Sequence, residues 1–156
     1  MGLAAFGGAK AYSVLGASFM ELHCQFSPDG KWIAYSSNES GRWEVYVRSF
    51  PDRGGKWPVS TNGGAQPRWR RDGKELFYIS ADKKLMAVDV IADGASFEPA
   101  VPKALFDLRV PGNLPGPRNW YAVSKDGQRF LVTTNLEEST AQPTTVVLNW
   151  TADLKK

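Results

Sequence analysis

Three copies of one pattern constrain this chain more than any other feature. Each has an aromatic or apolar residue, two linking positions, Asp-Gly, a basic or amide residue, and then a run of strand-forming residues. The copies are Phe26-Ser27-Pro28-Asp29-Gly30-Lys31 before Trp32-Ile33-Ala34-Tyr35, Trp69-Arg70-Arg71-Asp72-Gly73-Lys74 before Leu76-Phe77-Tyr78-Ile79, and Val123-Ser124-Lys125-Asp126-Gly127-Gln128 before Phe130-Leu131-Val132. Successive Asp-Gly pairs are 43 and 54 residues apart, against roughly 40–45 residues for one four-stranded propeller blade. Gly adopts φ > 0 without steric cost and Asp tolerates it, so each pair predicts a tight hairpin of a primed turn type between the first two strands of a blade. The expected fold is all-β: three four-stranded antiparallel blades, half of a six-bladed β-propeller.

Turn-forming clusters between the apolar runs place the strands. Blade one (residues 22–60) reads as Leu22–Ser27, Trp32–Ser37, Trp43–Ser49 and Lys56–Ser60. Blade two (66–108) reads as Gln66–Arg70, Glu75–Ser80, Lys84–Val90 and Lys103–Leu108, with Ile91–Pro102 as a long connection. Blade three (120–150) offers Trp120–Ser124, Arg129–Thr134 and Thr144–Trp150, one strand short. A surplus strand, Ala11–Leu15, precedes blade one. Unpaired edges invite aggregation, and propellers protect the ring by letting one terminus complete the other's blade. Three blades make an open arc, so the expectation is a homodimer in which each N-terminal strand completes the partner's last blade. The alternative is a fragment of a longer propeller.

Charge and composition narrow the partners. A net charge of +3 with no basic face predicts no nucleic-acid partner. Without ~18 consecutive apolar residues, no membrane span is expected. Residues 1–10 read as a flexible leader, since no basic n-region precedes Lys10. The run Arg68-Trp69-Arg70-Arg71 reads as a solvated turn. One cysteine, Cys24, excludes an intrachain disulfide and a Cys-based zinc site, and its place in a strand predicts a buried thiol. His-x-x-x-His, Cys-pair and Asp-x-Asp-x-Asp-Gly patterns are lacking in the sequence, so neither a metal nor a cofactor is expected.

Two functions stay open. Inner strands line a propeller's tunnel, and just before the anchor residues stand His23, Cys24 and Gln25, then Gln66, Pro67 and Arg68, then Trp120, Tyr121 and Ala122. His23, Gln25, Gln66, Arg68, Trp120 and Tyr121 would suit a small polar ligand with an aromatic for stacking, or would pack around water. That favours a non-catalytic module binding a ligand or protein. The alternative is a small esterase-like hydrolase at the tunnel or dimer seam, with His23 as base and Ser18 or Ser27 as nucleophile. Against it, Gly16-Ala17-Ser18-Phe19-Met20 keeps only the first glycine of a Gly-x-Ser-x-Gly elbow.

The Ser27-Pro28-Asp29-Gly30-Lys31 hairpin, Gly64-Ala65-Gln66-Pro67-Arg68-Trp69, Glu75-Leu76-Phe77-Tyr78 and Thr145-Val146-Val147-Leu148-Asn149-Trp150-Thr151 resemble the TolB-like branch of WD-repeat-like propellers. More narrowly they resemble the C-terminal propeller segments of bacterial serine/threonine kinases. The resemblance spans residues 11–156 and implies a sensory or interaction module with a bacterial, extracytoplasmic parent. Blade two departs from it with Arg70-Arg71 for Ser-Pro, and blade three has Lys125 for Pro. No Gly-rich loop or His-Arg-Asp segment of a kinase is present in the sequence.

Overall fold

The computed structural model describes residues 3–7, 10–15, 18–51, 54–93, 96–134 and 144–148, with side chains from residue 18 to residue 134 within these ranges. The described residues are all-β, without a helix, and all strand pairs are antiparallel. An N-terminal hairpin joins β1 (Leu3–Gly7) to β2 (Lys10–Leu15). The first sheet is a meander of β3 (Glu21–Phe26), β4 (Trp32–Ser37), β5 (Glu44–Ser49) and β6 (Lys56–Pro58). The second contains β7 (Gly64–Trp69), β8 (Glu75–Ser80), β9 (Lys84–Asp93), β10 (Ser96–Pro99) and β11 (Lys103–Asp107). The third has β12 (Tyr121–Val123), β13 (Arg129–Thr133) and β14 (Thr144–Leu148).

Three expectations need correction. Leu3–Gly7, assigned to a leader, is a strand paired with the surplus one. The connection read at Ile91–Pro102 holds a hairpin: β9 pairs with β11 near its start, then runs on to pair with β10 near its end. The turns are also not of the primed type. Gly30, Gly73 and Gly127 N–H groups donate to the carbonyls of Ser27, Arg70 and Ser124 at 2.9, 3.0 and 3.0 Å. These bonds make each Asp a central turn residue, and only the following glycine takes φ > 0, at +72°, +72° and +73°. A turn followed by a left-handed glycine is the longer hairpin loop.

Side chains fix these turns. The Ser27 hydroxyl donates to Asp29 Oδ1 (2.5 Å) and accepts from Trp32 N–H (3.0 Å). Ser124 does the same with Asp126 (2.5 Å) and Arg129 N–H (2.9 Å). The second turn substitutes Arg70, which grips both Asp72 oxygens at 2.8 Å and reaches Glu75 at 2.6 Å. Hydrogen bonds from Arg70 hold the Asp72 carboxyl below its ordinary value. The turns also stack from sheet to sheet: a Cβ on Gly73 would lie 3.6 Å from Pro28 Cδ, and one on Gly127 only 2.6 Å from Arg70 Cδ.

Strand period two divides the core. Along β8, Leu76 and Tyr78 pack with Trp32, Ala34, Val45 and Val47 of the first sheet, while Phe77 and Ile79 pack with Tyr121, Phe130 and Val132 of the third. A strand buried on both faces needs this continuous apolar run. Phe97 of β10 is 1% exposed and lies among Trp32, Trp57 and Trp69 at centroid distances of 5.2, 5.7 and 6.2 Å. Burying such a ring is worth about 1.5–3 kcal/mol, so the hairpin missing from the sequence reading is part of the core.

Candidate functional site

The inner strands β3 and β7 share a local distortion. In each, the pairing register shifts, between Leu22 and Gln25 and between Ala65 and Arg68. His23 and Gln66, each six residues before the Asp of its turn, take φ of 56° and 59° there. Positive φ is rare for residues other than glycine and persists only where the surroundings impose it.

At Gln66 the imposing contacts are explicit. Its N–H donates to Ser36 Oγ (3.1 Å) of the first sheet, its Nε2 donates to the Arg118 carbonyl (2.7 Å), and its Oε1 accepts from Trp120 N–H (2.8 Å). Its carbonyl accepts from the Tyr121 hydroxyl (2.8 Å). Gln66 is 0% exposed. All its polar groups are thereby engaged inside the protein, at the point where three sheets meet.

The segment between β11 and β12, rich in Pro and Gly, is held across this junction. Lys83 Nζ donates to the Val110 carbonyl (3.4 Å), Thr134 Oγ1 to that of Arg109 (2.6 Å), and His23 Nε2 lies 2.9 Å from that of Gly116. A carbonyl cannot donate, so His23 carries its proton on Nε2. Arg68 donates to Asn119 Oδ1 (2.5 Å) and to the Pro67 carbonyl (2.8 Å), and its guanidinium lies 5.8 Å from the Tyr121 ring centroid. Burial lowers the Arg68 pKa from its usual value and raises that of Tyr121. Arg68 therefore departs from the solvated turn expected of its basic run, whereas Arg70 serves the turn itself.

Two buried atoms at this junction have no hydrogen-bond partner: His23 Nδ1 and Trp120 Nε1. Gly116 links them, since its carbonyl takes the His23 bond and a Cβ added to it would lie 4.0 Å from Trp120 Nε1. One is an acceptor and the other a donor. Unpaired buried groups are uncommon and call for an explanation. A small polar ligand bearing both functions would supply one.

The sequence-derived candidates are thus partly assembled. His23, Gln66, Arg68, Trp120 and Tyr121 come together, while Gln25 is half-buried and resumes pairing opposite Ala34. Ser18 is exposed. Ser27 is buried and donates its hydroxyl to Asp29. Among the described residues no hydrogen bond joins His23 to either serine. Cys24 packs against the Ile33, Tyr35 and Tyr46 cluster, and burial pushes its thiol up to about 12. No three His, Cys, Asp or Glu side chains gather closely enough for a metal ion among the described residues. Ser36, Gly116, Arg118 and Asn119 belong to the junction but carry no local sequence signal, being brought in by tertiary contacts.

Burial lowers the His23 pKa below its ordinary 6.5; the Gly116 bond opposes this and the Arg68 charge adds to it. A depressed folded pKa means that the stability supplied by neutral His23 is full above about 6.5 and is lost as pH falls through the folded pKa. The chain has one histidine, so its imidazole proton resonance reads directly. It should titrate below pH 6.5 in the folded protein and shift up on unfolding; an unchanged midpoint would contradict the burial described.

No protein-family model matches the chain, and no curated protein matches its sequence. Solved structures do match its fold. TolB from Acinetobacter baumannii superposes with a TM-score of 0.55 at 13% identity, over 81% of this chain and 30% of that one. The fold is that of a TolB-like β-propeller. A puromycin-hydrolysing peptidase from Mycobacterium tuberculosis matches with a TM-score of 0.58 at 22% identity, over 80% of this chain and 20% of its own. A manganese-bound oligogalacturonate lyase gives 0.55 at 12%, over 85% and 35%. The chain therefore spans between a fifth and about a third of the length of these proteins, and the likeness concerns fold alone.

Proposed function

We propose that this chain is a non-catalytic β-propeller module that binds a small polar ligand or a protein. Its three blades, we infer, close into a six-bladed ring with a second copy. The unpartnered acceptor of His23 and donor of Trp120, with the half-buried Arg68 guanidinium near His23, carry the binding reading. Gln66 supplies the rigid floor and Arg68 a further polar contact. Two-copy closure is supported by β14, whose outer edge is unpaired among the described residues, and by β2, which pairs on one side only. Joining these edges removes two exposed ladders at once.

The competing reading, an esterase-like hydrolase, needs a hydroxyl within reach of His23, whereas Ser27 spends its own on the hairpin turn. Purified protein incubated with chromogenic short-chain esters is expected to give no turnover above buffer. Turnover abolished by His23→Ala in a folded variant would overturn the non-catalytic reading.

A further inference from the structure

A cleft of about 490 Å³ opens between the first and second sheets, and none of His23, Gln66, Arg68 or Trp120 lines it. That volume lies in the range of small-molecule sites. The connector 61–63 between β6 and β7 and the β8–β9 turn around Asp82 supply its polar lining, while Met86, Val101 and Pro102 supply an apolar one. The connector is fixed from behind. The Gly63 N–H donates to both Glu44 oxygens at 3.0 Å, the Gly64 N–H to the Trp43 carbonyl at 2.9 Å, and the Arg42 guanidinium to the Thr61 carbonyl. The cleft is therefore preformed.

Tyr78 lines this cleft while only 3% exposed, and its hydroxyl makes no hydrogen bond among the described residues. Buried phenols ordinarily find a partner. Burial first, then the charges of Glu44 and Asp82, push the Tyr78 phenol up to about 12, so it stays protonated in a negative potential. Lys84, the cation lining the cleft among the described residues, does not cancel that potential. It donates to Asp107 Oδ1 at 2.5 Å and stands 3.9 Å from Asp82 Oδ2. Ser80 takes the other Asp82 oxygen at 2.5 Å, which leaves Asp82 Oδ2 without a hydrogen bond among the described residues.

We propose that this cleft binds a primary ammonium carried on a short apolar stem. The ammonium donates to the Tyr78 hydroxyl oxygen and to Asp82 Oδ2, and the stem lies against Met86, Val101 and Pro102. A neutral alcohol of the same shape keeps the apolar contact and loses the charge. A carboxylate would meet the like charges of Glu44 and Asp82. The site goes beyond the His23 and Trp120 junction and stands whether or not two copies close a ring.

Methyl labelling of the three methionines in the full chain tests this, because Met86 lies in the cleft. Titration with 2-phenylethylamine at neutral pH should shift the Met86 methyl resonance saturably, that resonance being the one lost in Met86→Leu, while the His23 imidazole resonances stay in place. The neutral 2-phenylethanol should bind about tenfold more weakly, the worth of one charge-assisted hydrogen bond at a partly open site. Tyr78→Phe keeps the ring and Asp82→Asn keeps an oxygen for Ser80, and each should weaken amine binding by about the same factor. Added salt should weaken the amine and spare the alcohol. Circular dichroism reports folding, and if a variant unfolds, the comparison of amine with alcohol on the unmodified chain still decides. Equal affinity for amine and alcohol, undiminished binding by folded Tyr78→Phe, a shift confined to His23, or no shift at all would each overturn the site. A shift confined to His23 would leave the junction reading standing.

Discussion

Replacing Gln66 with alanine is expected to lower folding stability by about 3 kcal/mol, because it removes two side-chain hydrogen bonds and leaves the buried Trp120 N–H without an acceptor. The Arg118 carbonyl, on an exposed residue, and the buried Trp120 N–H lose their hydrogen bonds, and the volume vacated by Gln66, itself 0% exposed, adds a packing loss. Alanine keeps the strain of φ 59° while losing the side-chain contacts that support it. Against a typical total of about 5–15 kcal/mol, the effect is large and visible as a lower urea midpoint. A loss below about 1 kcal/mol would mean that the junction does not organise the three sheets.

Gly63→Ala should be nearly as damaging, and Gly41→Ala much less so. Both glycines lie in the left-handed region, at φ +92° and +88°. They differ in surroundings. A Cβ on Gly63 would come 2.6 Å from Ala81 Cβ, whereas one on Gly41 meets nothing within 4 Å. The Gly63 N–H also donates to both carboxylate oxygens of buried Glu44 at 3.0 Å, so a shift of this backbone breaks the network that includes Arg42. Backbone strain alone should cost Gly41→Ala about 1 kcal/mol, and overpacking should raise the Gly63→Ala loss to about 3 kcal/mol. Equal losses in thermal or urea unfolding would show that the Ala81 contact yields freely.

Much of the fold was legible because its turns are chemical. Asp-Gly with a preceding Ser or Arg places the reversals, and β4 and β8 occupy the residues the repeats imply. The mistaken turn type follows from reading the dipeptide alone: the neighbouring Ser or Arg closes the loop with Asp and lengthens it. The missed hairpin had its own signal, Asp93-Gly94 between Val88, Val90 and Phe97, but lay off the repeat. The site was legible as a set of positions and not as a mechanism. Gln66 reads as a tunnel residue by alignment, yet its partners lie 30 to 55 residues away in sequence, and no local rule assigns a buried glutamine to a junction. Likewise, the unpaired atoms of His23 and Trp120 exist only once the Pro- and Gly-rich segment crosses the inner strands.

The solution mass of the unmodified chain tests the assembled module most directly. Closure by two copies predicts about 34 kDa by light scattering across micromolar concentrations, since two apolar seams and two strand additions act together. A well-folded species of 17.2 kDa, stable on dilution and concentration alike, would contradict the paired ring.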